Sequence, residues 1–277
     1  MSFNFEKAVQ DAKQDTENNK LFLILLGSSG NGKSFAQGTF GCKTLYLYTS
    51  GESHGPKSAS TLGGSNIIPV CLDREDNNAL GADETLKRLH TILDDTEGLK
   101  KAKIEAVAID GASELEALIR GTAKFKAATL TKSGEHNGFA EGPATMAQFR
   151  EIIAKLKRLQ RAMKIHMCMT CTLVVKEYGE DGLILDSSPQ LAGYAVATGL
   201  IQQFDDVMVI GRMQKKDKIG YRLQLLAAGT KTTLDLKGEV KKTFNYSPRL
   251  TGVDILSLGA TLDADLKALA ALKVGKV

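Results

Sequence analysis

The chain has 277 residues, room for one large domain or two small ones, and its 43% hydrophobic and 25% charged residues exclude a wholly disordered, collagen-like or coiled-coil protein. Thirty-six Lys and Arg against 32 Asp and Glu leave a formal charge of +4, too mild to imply a polyanionic partner by itself. The longest apolar run, 21–26, is far below the roughly 20 residues of a membrane helix, the opening MSFNFEKAVQDAKQ is polar where a secretory signal would be apolar, and the four cysteines make no disulfide framework, so a cytoplasmic chain with reduced thiols and no membrane span is expected.

In chain order, Phe3–Gln14 is amphipathic and predicts a first helix, and LFLILL (21–26) a first strand. Strand-length apolar runs recur at KTLYLYT (43–49), NIIPVCL (66–72), IEAVAID (104–110), KIHMCMTCTLVV (164–175), DVMVIG (206–211) and YRLQLLA (221–227). Most lack strict alternation, the mark of strands buried on both faces of a mainly parallel sheet. Helical periodicity falls between them, at Asp83–Asp95 with Leu86, Leu89, His90 and Leu93 on one face, at Ser113–Ala128 and at Ala144–Met163. Strands alternating with helices predict an α/β fold, a mainly parallel sheet covered by helices on both faces. Gly121–Pro143, with four glycines and a proline, all but Gly121 in TLTKSGEHNGFAEGP, predicts a loop, and Lys176–Gln190, with a turn at Gly179–Gly182, a projecting hairpin. Beyond a looser stretch at Asn245–Gly259, Thr261–Leu272 predicts a short C-terminal helix.

Chemistry enters at Gly27-Ser28-Ser29-Gly30-Asn31-Gly32-Lys33-Ser34, a complete G-x-x-x-x-G-K-[ST] phosphate loop placed between a strand and a helix. Its glycines let successive backbone N–H groups converge on phosphate oxygens, Lys33 is expected on the β- and γ-phosphates, and Ser34 on Mg²⁺. ATP and Mg²⁺ are the expected cofactors. Asp110, the first charged residue after the apolar run 106–109, is the expected second member of the Mg²⁺ shell. Glu52, ending KTLYLYTSGES, is placed to take a proton from, or orient, the water that attacks the γ-phosphate, although a solvated turn glutamate fits the same spacing. No N-K-x-D motif for reading guanine occurs.

Cys168-Met169-Thr170-Cys171 is a C-x-x-C inside a strand, where side chains three apart point to opposite faces, so no metal or redox site is expected there. His166 is expected in or beside the core, and His54, His90 and His136 lack partners at ligand spacing. Basic residues cluster twice, ten Lys and Arg against three acids over Arg212–Arg249, and Lys155, Lys157, Arg158, Arg161 and Lys164 facing only Glu151. Such patches suit a phosphate backbone or a solvated face. In the expected loop, Lys124, Lys126 and Lys132 stand with Phe125 and Phe139, the combination that non-specific single-strand binding uses.

Taken together, GSSGNGKS, YLYTSGES, AVAIDGASEL, HMCMTCTLVVKE and PQLAGYAVATGLIQQFDDVMVIGRM give a chain that, over roughly residues 20–235, resembles the RecA-like branch of P-loop ATPases. Within that branch it looks like the phage-encoded RecA-like proteins of single-strand annealing and recombination. The resemblance implies a RecA-like ATPase domain over 1–240, including helix 3–14, and a tail over 241–277 that adds β structure and the short helix. It implies Glu52 as catalytic base, Thr170 or Thr172 as the polar residue that senses the γ-phosphate, and a homo-oligomeric ring or filament on single-stranded DNA in the host cytoplasm. It also implies an active site between subunits completed by a neighbour's cation, with Lys231 in LLAAGTKTTLD as candidate and Arg212 as fallback. Relatives often carry Lys-x-Arg there, whereas this chain has Thr233 in the second position. A helicase-type motor, a nucleotide-gated assembly protein with little hydrolysis, and a small-molecule kinase share the same motifs, the last without the Arg-rich lid it would need.

Overall fold

The computed structural model describes residues 20–38, 40–76, 78–178, 184–215 and 218–224, with short strands at 233–234, 240–241 and 255–257. The expected helices at 3–14 and 261–272, the turn at 179–182 and Lys231 lie outside the described residues.

Six strands run parallel at the centre. They are β1 (Phe22–Gly27), β2 (Thr44–Tyr48), β3 (Ile67–Cys71), β6 (Ala106–Ile109), β7 (His166–Tyr178) and β9 (Asp206–Lys215), with a small β4–β5 ladder (Arg74–Glu75, Asn78–Ala79) outside the sheet. Their spatial order is β9-β1-β7-β6-β2-β3. Antiparallel β10 (Lys218–Gln224) follows β9 and pairs with β13 (Ile255–Ser257), β8 (Ile184–Pro189) folds back on β7, and β11 (Thr233–Leu234) pairs with β12 (Val240–Lys241). From β1 the chain passes over two positions to build β2 and β3, returns to fill β6 and β7, then places β9 on the other flank of β1. A parallel α/β sheet of this kind is compatible with a Rossmann or P-loop type of fold, in which ligands lie at the carboxyl ends of the strands.

The helices are α1 (Lys33–Gln37), α2 (Gly55–Gly63), α3 (Ala82–Asp94), α4 (Thr96–Lys101), α5 (Ala112–Gly121), α6 (Ala123–Ala128), α7 (Gly138–Met163) and α8 (Tyr194–Ile201). They lie on both faces of the sheet. On one, α3, α5, α7 and α8 set Leu86, Leu89, Leu115, Ile119, Phe149, Ile152, Ile153, Leu156 and Leu200 against Phe22, Ile24, Leu45, Leu47, Val107, Ile109, Met167 and Met169. These helix positions repeat at three- and four-residue steps and the strand positions at two, the periods that put one apolar face of each element into a shared core. On the other face α1 and α2 pack on each other, and there Leu23, Leu25, Met208 and Ile210 are buried, as is the cluster of Tyr46, Ala59, Ile67 and Ala108 with Tyr48 beside it. Among the described residues no helix is long and apolar enough to cross a membrane.

One local expectation is corrected, and one helix is unforeseen. The stretch expected as a loop over 121–143 holds all of α6 and the first turns of α7. Thr122 ends α5 in an extended conformation and caps α6 by accepting from Phe125 N at 3.1 Å, and Phe125, 5% exposed, anchors that helix. A turn with Gly134 at φ 82 and a Leu130–His136 bridge then leads to Asn137, which caps α7. Pro143 removes one helical bond in the second turn of α7, but the same helix buries Thr145, Met146 and Phe149 immediately afterwards, and that burial overrides the weak local propensity. The unforeseen helix is α2, whose sequence GPKSASTLG has too few apolar residues to show a helical period.

Contact between α1 and α2 depends on the absence of a side chain. Gly38, at φ −72, follows α1, and a Cβ there would overlap the carbonyl oxygen of Ala59. Its backbone conformation suits any residue, so the constraint is space alone. Gly38→Ala is expected to lower unfolding stability by about 1–3 kcal/mol, the usual cost of overpacking. A urea midpoint equal to that of the parent would show that the two helices separate freely.

Candidate functional site

The carboxyl ends of β1, β2, β6 and β7 bring five of the sequence-selected residues to one place: Lys33, Ser34, Glu52, Asp110 and Thr170. Gly27 ends β1 with its α-carbon against β9, where an added Cβ would lie 2.7 Å from Ile210 Cγ2. Gly30 and Gly32 take φ 78 and 85, left-handed values open to glycine and costly for other residues. Ser28 Oγ donates to Leu173 O at 3.2 Å and Asn31 Nδ2 to Ile210 O at 3.4 Å, so the loop is fastened to both strands that flank β1. Ser29 is exposed at the crest.

Lys33 folds its ammonium back under this loop, donating to Gly27 O at 2.8 Å and Ser28 O at 3.2 Å. Burial lowers its pKa, and the nearby Asp110, Glu52 and Cys171 oppose the shift. The first N–H groups of the helix that begins at Lys33 have no intrahelical acceptor, so the ammonium and the backbone donors face the same space.

Asp110 is 3% exposed, and its two carboxylate oxygens are held from three elements. Thr170 Oγ1 of β7 donates to Oδ1 at 2.6 Å, Ser34 Oγ of α1 donates to Oδ2 at 2.8 Å, and the Tyr46 hydroxyl of β2 also donates to Oδ2. Burial, reinforced by Asp110, pushes the Tyr46 phenol up, which keeps it a donor. Thr170 accepts in turn from Gly111 N at 2.8 Å. β7 lies between β1 and β6 in the sheet, so Thr170 sits between the phosphate loop and the strand that ends at Asp110. Of the two threonines left open by the sequence, Thr170 touches Asp110, whereas Thr172 lies level with Gly27 and accepts from Gln190 N through its carbonyl at 2.8 Å.

Glu52 is carried on a short 3-10 turn, Ser50–Glu52, directly after β2. Asp73, just beyond β3, holds that turn by accepting from Ser50 N at 2.8 Å and Ser50 Oγ at 2.5 Å. Glu52 rests against Gly111, whose φ of 94 suits glycine and whose added Cβ would lie 3.2 Å from Glu52 Cγ. Burial raises the Glu52 pKa first, Asp110 and Glu114 add to the rise, and Lys33 opposes it.

Other selected residues fare differently. Cys171 is in the main core and Cys168 on the opposite face beside Gln37, and burial pushes both thiols up to about 12. His166 accepts from Leu21 N at 3.2 Å and stacks on Phe40. Lys124 pairs with Glu151 at 2.7 Å, while Lys126 and Lys132 are exposed. Phe125 is buried and not presented for stacking, whereas Phe139 is 96% exposed. The basic face expected on α7 is partly neutralised, because Asp94 of α3 pairs with Lys155 and, at 2.7 Å, with Arg158. Arg212 lies in β9 opposite Tyr221.

Tyr46, Asp73 and Gly111 are the site residues that sequence reasoning missed. A tyrosine in a strand reads as core, and Asp73 reads as a turn; only Gly111, straight after a strand-ending aspartate, left a local sign. Among the described residues no three His, Cys, Asp or Glu side chains gather to hold a metal ion. Ser34 and Asp110 nevertheless offer the hydroxyl and carboxylate oxygens that suit Mg²⁺, which takes its other ligands from phosphates and water. No protein-family model matches the chain, and no curated protein matches it.

The raised Glu52 pKa has a consequence for stability. The unfolded chain releases this proton near the ordinary value of 4.5, the folded chain at higher pH, so the group's contribution to stability falls as pH rises between those two values and is constant above. Glu52→Gln is therefore expected to melt at higher temperature than the parent at about pH 8, with the difference shrinking toward about pH 4. Equal melting temperatures at both would show that the fold does not disfavour the charge.

Proposed function

We propose that the chain binds Mg-ATP at the 27–34 loop and hydrolyses it. The observation that carries this reading is the bonded series Ser34–Asp110–Thr170 beside Lys33, with Glu52 on the neighbouring strand end. Phosphate oxygens would replace the Gly27 and Ser28 carbonyls as acceptors for Lys33, exchanging a neutral pairing for a charge-assisted one. Ser34 and Asp110 would hold Mg²⁺, which neutralises charge on the β- and γ-phosphates. Glu52 accepts the proton of a water as its oxygen bonds to the γ-phosphorus and the bond to the β-phosphate oxygen breaks, giving ADP and phosphate. Its raised pKa brings it closer to the operating pH, which suits a general base.

We further propose that this ATPase is RecA-like and assembles on single-stranded DNA in recombination or annealing. The support is the motif resemblance, together with Phe139, Lys126 and Lys132, all exposed near the amino end of α7. That end lies toward the carboxyl edge of the sheet, because α7 leads directly into the start of parallel β7.

Lys33→Ala should abolish binding of a fluorescent ATP analogue, and undiminished binding would place the nucleotide elsewhere. Glu52→Gln should keep that affinity and lower turnover by roughly 10²-fold or more, the scale of a lost general base. Retained turnover would move the base to another residue, and a parent that binds ATP without turnover would favour nucleotide-gated assembly. Changing Lys124, Lys126 and Lys132 together to Ala should weaken single-strand binding and reduce its salt slope by about 0.7 per lost contact. An unchanged slope would remove this surface from the DNA proposal.

A further inference from the structure

We propose that Tyr46 is a positioning residue whose hydroxyl orients Asp110 for the metal-bound nucleotide, an inference that rests on the Mg-ATP reading of the site. Tyr46 is fully buried, so water does not serve its hydroxyl, and it donates to Asp110 Oδ2. The reach comes from register. Tyr46 lies opposite Ala108 on β6, two residues short of Asp110, and the alanine methyl leaves room for the phenol to extend forward over its own sheet face.

Held by Thr170 at one oxygen and by Tyr46 and Ser34 at the other, the carboxylate is gripped from both strands that flank β6 and from the phosphate-loop helix. The grip is closed from outside by Gly55, the first residue of α2. A Cβ on Gly55 would overlap Asp110 Oδ2 and lie 2.6 Å from the Tyr46 hydroxyl oxygen. Ser34 is shared between carboxylate and metal, so a rotated Asp110 would misplace the Ser34 oxygen as well. Tyr46 itself has no role in touching phosphate or attacking water. Its effect passes through Asp110, as hydrogen-bonding partners of metal-holding carboxylates generally act.

The test is a Mg²⁺ titration of fluorescent ATP-analogue binding to the full chain, read as the Mg²⁺ concentration at half-saturation. Tyr46→Phe, which removes one oxygen and keeps the ring, is expected to raise that concentration by about 10-fold or more, while analogue binding in EDTA stays at the parent level. In an Asp110→Asn background the same change is expected to have no further effect, the signature of action through Asp110. Gly55→Ala keeps phenol and carboxylate but presses a methyl onto both, and should shift the midpoint in the same direction. A midpoint within about twofold of the parent in Tyr46→Phe, or an equal shift with and without Asp110, would show that Tyr46 only fills space and overturn the proposal. Metal-free thermal melts confirm that each variant is folded. If the parent shows no Mg²⁺-dependent binding, the reading of the whole site falls, and this proposal with it.

Discussion

A buried carboxylate is tolerable only when its oxygens are occupied, and Asp110 organises this molecule on that condition. Three hydroxyls from three separate elements converge on it, which fixes how β2, β6, β7 and α1 are placed against one another. The parallel register prepares this: Ile109 is level with Met169, so Thr170 stands beside Asp110, while Tyr46, level with Ala108, reaches forward to the carboxylate. Fold and site are thus the same arrangement seen at two scales.

The second constraint is where side chains must be missing. Gly27 against β9, Gly111 against Glu52, Gly55 against Asp110 and Gly38 against α2 are close approaches of backbone to a neighbour, and together they frame the phosphate loop and the turn that carries Glu52. Only Gly111 among these four has a positive φ. Space, more than backbone freedom, explains the others.

Much of this was legible in the sequence because it is local. The seven apolar runs mark strands that the structure contains, and the phosphate loop and the aspartate closing β6 are short contiguous patterns. The illegible part lies in pairings distant along the chain. Tyr46 and Asp110 are 64 positions apart, and Ser50 and Asp73 23 apart, with no period or spacing linking them. The stretch over 121–143 misled for a related reason: its glycines and proline are visible locally, but the burial of Phe125 and Met146 that holds the two helices exists only once α3, α5 and α7 are assembled.

The shortness of α1 and α2 bears on how the protein opens. One has five residues and the other nine, and neither is long enough to persist alone in water, so each is held by the sheet beneath it and by its neighbour. Short elements held only by packing can open locally at lower free energy than the body they cover. The 27–34 loop runs straight into α1. A ligand at the loop would therefore act as a clasp on this pair of helices, and amide exchange of α1 and α2, rather than global melting, is where its presence would register first.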